Sequence, residues 1–151
     1  MPRPPRACRP PTHVLVPLDG SPLATEALTH ALDTFDCPVT VLNVVTPLDS
    51  SMSEGGIVGS DESRREAALE RANELVAAAE RRTAETDRTL ETAVEPGDPA
   101  ETILAYVDDH DVDHVVMGGH GGSRSELVSR LLGTVATKVV SEAPVTVTVV
   151  R

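Results

Sequence analysis

The chain has 151 residues, 40% of them hydrophobic, which suits one globular domain with a buried core. One Phe, one Tyr and no Trp make that core aliphatic. The net charge is -11 and all 24 acidic residues follow residue 12, so beyond Arg3, Arg6 and Arg9 ten basic residues face 24 acidic ones, a body charge of -14 that excludes nucleic-acid and anionic-membrane binding.

Residues 1–12 combine five prolines with three arginines and no periodicity. They are expected to form a disordered, partly polyproline basic extension, leaving 13–151 as the folded domain. From His13 the run HVLVPLD reads as a strand covered on both faces. Ser21 and Pro22 then supply an N-cap and a first-turn proline, and apolar residues recur at helical spacing up to Phe35. Residues 38–45, PVTVLNVV, are a second β-branched run. A Ser- and Gly-rich loop, 46–60, leads to a charged surface helix from about Asp61 to Arg82.

Residues 88–95 alternate as a third strand nearer an edge, followed by the turn Pro96-Gly97. Asp98, Pro99 and Glu101 read as a capping box opening a helix to about His110. DVDHVVMGG is a fourth strand, Gly133-Thr134 opens a short helix, and VTVTVV is a fifth strand. Such a βα alternation predicts an α/β fold, a three-layer sandwich with a five-stranded parallel sheet between helices. Ligands of such folds bind beyond the carboxyl ends of the central strands.

Those ends carry unusual residues: Pro17-Leu18-Asp19-Gly20-Ser21, Asn43-Val44-Val45, and Met117-Gly118-Gly119-His120-Gly121-Gly122. Closely spaced glycines let backbone approach a ligand and present N–H groups to an anion, and the helix start at Gly133-Thr134 favours phosphate. The bland alternatives are a flexible connector for the glycines, a plain N-cap for Thr134, and an Asp19 carboxylate turned back to cap the first helix. Because Ser21 is the better cap, Asp19 is expected to be free for a base or ribose.

The stretches VLVPLDGSPLATEAL, VTVLNVV, VVMGGHGG and LLGTVATKVVSEAPVTVTVV resemble the universal stress protein family over nearly the whole chain after residue 12. The resemblance implies a Rossmann-like domain of the adenine nucleotide alpha hydrolase-like type, strand order 3-2-1-4-5, that binds ATP or ADP, with Mg2+ as an allowed counter-ion. By position it implies that Asp19 holds the nucleoside behind Pro17, that Val44 faces adenine, and that Met117 and Gly118 flank ribose and phosphates. Gly121, Gly133, Thr134 and Val135 then take the phosphate roles. The family spacing places nine residues between its second and third motif glycines. Counting from Gly119 and Gly122 this chain has ten, and from Gly121 to Gly133 it has eleven, so its loop is longer.

Within that loop Arg124 and Arg130 either offset phosphate charge or sit solvated, and His120 shapes the loop or meets phosphate. His110 and His114 fall on a helix end and a strand, so no shared face makes them a metal pair. No nucleophile or carboxylate pair marks a committed enzyme. The readings are, in order, a nucleotide-binding stress or signalling module, a non-binding interaction scaffold, and a nucleotidyl-transfer enzyme. An edge position for the fifth strand predicts a homodimer through it, in line with the resemblance. The absence of any run of about 18 apolar residues, and of a signal-like start, predicts a cytoplasmic protein. Acidity with one lysine against twelve arginines predicts solubility at high salt.

Overall fold

The computed structural model describes residues 11–45, 61–84, 90–119 and 132–151. The elements are β1 (Val14–Pro17), α1 (Pro22–Thr34), β2 (Val39–Val45), α2 (Asp61–Ala84), β3 (Leu90–Pro96), α3 (Pro99–Asp109), β4 (His114–Gly118), α4 (Thr134–Glu142) and β5 (Thr146–Val150). All strand pairs are parallel, as the alternation predicted, and their order is β3-β2-β1-β4-β5, as the resemblance implied. The central strand β1 is flanked by β2 and β4, with Val14 opposite Val39 and His114.

Strand alternation sorts the apolar side chains into two cores. Val14, Val16, Val39, Val41 and Val116 pack with Ala24, Ala27, Leu28 and Ala31 of α1 and Ala79 of α2. Leu15, Leu42, Val115 and Met117 pack with Ile103 and Val107 of α3 and Val139 of α4. Each fully buried valine or leucine contributes about 1.5–3 kcal/mol relative to exposure. The long helix α2 buries Ala72, Ala79 and Thr83 and turns charged residues outward, as its composition required.

Helix starts follow local chemistry. Ser21 Oγ accepts the Ala24 N–H at 3.2 Å, with Pro22 in the first turn of α1. Asp98 Oδ2 accepts the Glu101 N–H at 3.0 Å at the start of α3. The Glu101 carboxylate, expected to complete a capping box, lies 3.7 Å from Lys138 Nζ on α4, because the two helices pack side by side.

Both carboxylate oxygens of Asp113 accept the Thr12 N–H, at 3.1 and 2.8 Å, and Oδ1 accepts the His13 N–H at 3.1 Å. Thr12, assigned to the extension by its sequence, is thus tied to the amino edge of the sheet. Residues 1–10, the loop 46–60 and the first two residues of the expected third strand, 88 and 89, lie outside the described residues. Among the described residues no helix is long and apolar enough to cross a membrane.

Candidate functional site

The carboxyl edge of the sheet is shaped by how β1 ends. The Leu18 N–H donates to the Leu42 carbonyl at 2.8 Å, and the Leu18 carbonyl accepts Asn43 Nδ2 at 2.7 Å, fixing the exit from β1 against β2. Gly20 then turns the chain at φ +87°, a backbone conformation that side chains oppose. This turn leaves Asp19 exposed at the sheet edge, with Oδ1 accepting the Ser21 N–H at 2.9 Å. Ser21 caps α1 as expected. Asp19 closes the turn with one oxygen while its side chain still borders the cleft.

Two adjoining cavities share Asp19 and Val44 as a common wall. The smaller, of about 240 Å³, brings together Pro17, Asp19 and Val44 from the β1 and β2 ends with Met117 and Gly118 of β4. Gly133, Thr134 and Val135 at the start of α4 complete that wall, and Pro99 and Ile103 of α3 add apolar surface. Eight residues to which the sequence assigned nucleotide-binding roles therefore line one space. The larger cavity, of about 430 Å³, opens beside α2, with Asn43, Arg71, Glu74 and Leu75 among its lining.

Three helices direct their amino ends at the smaller cavity, and they are not equivalent. Those of α1 and α3 are closed by Ser21 and Asp98. Helix α4 starts from Gly133, at φ -68° and ψ 169°, with no side-chain cap. Thr134 is therefore the first helical residue and not the cap, because the glycine already stands in the extended cap conformation. With no side chain to occupy them, the first-turn N–H groups of α4 face the cavity with the positive end of the helix dipole.

Gly118 and Gly119 are required for packing. A Cβ on Gly118 would stand 2.9 Å from Leu23 Cβ and 3.0 Å from the Leu23 carbonyl carbon. A Cβ on Gly119 would meet Val149 Cγ1 at 3.2 Å and the Val150 carbonyl oxygen at 3.3 Å. The glycine-rich stretch thus begins with two residues whose missing side chains admit α1 and β5, not ligand. The Gly119 N–H donates to the Val150 carbonyl at 2.8 Å, and its carbonyl accepts the Gly133 N–H at 2.6 Å. The ends of the long segment are clamped together. His120, Gly121, Gly122, Arg124 and Arg130, and with them the extra loop length, lie outside the described residues.

Sequence reading missed Arg71, Glu74, Pro99 and Ile103. The first two sit on a charged helix, where nothing local tells which charges face the sheet edge. Pro99 and Ile103 read only as a first-turn proline and an apolar helical position.

With this geometry established, the comparisons with known proteins are specific. The model of the universal stress protein family matches residues 11–151. A universal stress protein of Methanocaldococcus jannaschii is 30% identical over 143 residues, covering 91% of this chain and 81% of that protein. Universal stress protein UspA from Lactobacillus plantarum superimposes with a TM-score of 0.80 at 26% identity, covering 95% of this chain and 99% of that one. A universal stress protein family protein from Arabidopsis thaliana with AMP bound has a TM-score of 0.66 at 21% identity, covering 93% and 91%.

Proposed function

This chain belongs to the universal stress protein family, and from that premise we propose that it is a stress-response or signalling module that binds an adenine nucleotide at the carboxyl edge of its sheet. The observation that carries the reading is that the uncapped start of α4, the Asp19 carboxylate and an apolar wall of Val44, Met117 and Ile103 border one cavity. The three features answer the three parts of a nucleotide. Phosphate oxygens would accept the first-turn N–H groups of α4, the Asp19 oxygens would accept ribose hydroxyls, and the base would slide between Val44 and Ile103. The AMP-bound relative from Arabidopsis thaliana supports the same class of ligand.

ATP or ADP are the ligands expected in the cell, and Mg2+ would be held chiefly by their phosphates. Among the described residues no three of His, Cys, Asp or Glu converge to supply a cation site. In this reading the role is occupancy-dependent signalling, with hydrolysis weak or incidental.

The decisive experiment is to denature the purified protein and identify released nucleotide, then to titrate nucleotide-free protein with ATP, ADP and AMP by calorimetry. Binding that falls at least about tenfold in Asp19→Ala, equivalent to about 1.4 kcal/mol, is the expected result. No released nucleotide and no heat of binding would overturn it.

A further inference from the structure

The larger cavity beside α2 has features that the nucleotide reading leaves unused. Asn43 is 6% exposed and lines it, yet among the described residues its side chain makes a single hydrogen bond, from Nδ2 to the Leu18 carbonyl. Its Oδ1 is a buried acceptor with no donor among the described residues, a state that normally calls for a water or a ligand hydrogen. The same cavity is bordered by two carboxylates, Asp19 and Glu74, and by the guanidinium of Arg71, which has no ion-pair partner among the described residues. Leu75 and Val45 supply apolar wall.

We propose that this cavity is the sugar-edge subsite of the cleft, in which Asn43 and Glu74 select nucleotides with free ribose hydroxyls and reject those phosphorylated at that edge. The inference rests on the adenine-nucleotide reading and adds its specificity. The smaller cavity, at about 240 Å³, falls below the roughly 300–1,000 Å³ of ordinary ligand sites, whereas the two together fall within it. A ligand that occupies both crosses the shared wall at Asp19 and Val44. What crosses is set by charge and hydrogen bonding. Two carboxylates against one guanidinium disfavour a phosphate, while the acceptors Asn43 Oδ1 and Glu74 fit hydroxyl donors. Arg71 offsets part of the negative charge and can donate to the hydroxyl oxygens.

Asp19 alone could favour ribose, so the test acts on α2. Nucleotide-free wild type and Glu74→Met are titrated with AMP, 2′-deoxy-AMP, 3′-deoxy-AMP and adenosine 3′,5′-bisphosphate, with thermal midpoints confirming that this surface change leaves the fold intact. Expected are an AMP preference over the weaker deoxy ligand of about tenfold or more in the wild type, and a loss of at least half of it in Glu74→Met. The bisphosphate should bind the wild type more weakly than AMP and recover in the variant. An AMP-to-deoxy ratio that Glu74→Met leaves unchanged overturns the subsite while nucleotide binding stands. Absence of AMP binding overturns both readings.

Discussion

Asn43 Nδ2 reaches the Leu18 carbonyl at 2.7 Å, joining the buried amide of β2 to the last apolar residue before the Asp19 turn. The bond is between elements 25 positions apart, and it sets where Asp19 stands relative to β2. Asn43→Ala leaves a buried carbonyl without its donor, so stability should fall by about 1–3 kcal/mol, read from urea denaturation. A loss below about 0.5 kcal/mol would show that water takes over the bond.

Gly118 should tolerate no side chain. The Cβ of Gly118→Ala meets the backbone of Leu23 and Ala24, at 3.0 Å and 3.1 Å, and these atoms cannot swing aside as a flexible side-chain tip would. A cost of about 1–3 kcal/mol is expected from the forced shift of α1, read in the denaturation midpoint. An alanine variant as stable as the parent would remove the packing explanation for this glycine.

Acid should destabilise the fold in two steps. Burial lowers the pKa of His114 from its usual 6.5, and its neighbour His30 adds to that against the opposing pull of Asp113. The folded form then binds fewer protons than the unfolded one, so stability is lost as pH falls below about 6.5 towards the folded value. Burial acts to raise Asp113, but the hydrogen bonds from Thr12 and His13 outweigh it and hold the carboxyl below 3.8. Its contribution is complete above that pH and lost as pH falls through the lowered value. Denaturation midpoints from pH 8 to 3 should decline less steeply near pH 6 in His114→Gln and less steeply below pH 4 in Asp113→Asn. Profiles parallel to the parent would refute these assignments.

Strand β5 ends the sheet beyond β4, leaving its outer row of backbone groups without a sheet neighbour among the described residues. A two-fold pairing of such edges would cover both, so sedimentation at micromolar concentration should give about twice the chain mass. A monomer mass would count against that assembly.

Much of this molecule was legible in its sequence because the signals are local. β-branched runs such as Val39–Val45 and capped starts such as Ser21-Pro22 need only near neighbours, and alternating strands and helices have few ways to assemble. That logic also placed Asp19, Val44, Met117 and Gly133 at strand and helix ends on one edge. Tertiary structure decided what depends on distant segments meeting: that Gly118 is small to admit Leu23, that Gly133 and not Thr134 caps α4, and that Arg71 and Glu74 face the cleft. Periodicity records which face of a segment is buried. Which residues of another segment it meets, and which polar atom is left without a partner, is set only when the layers close on one another.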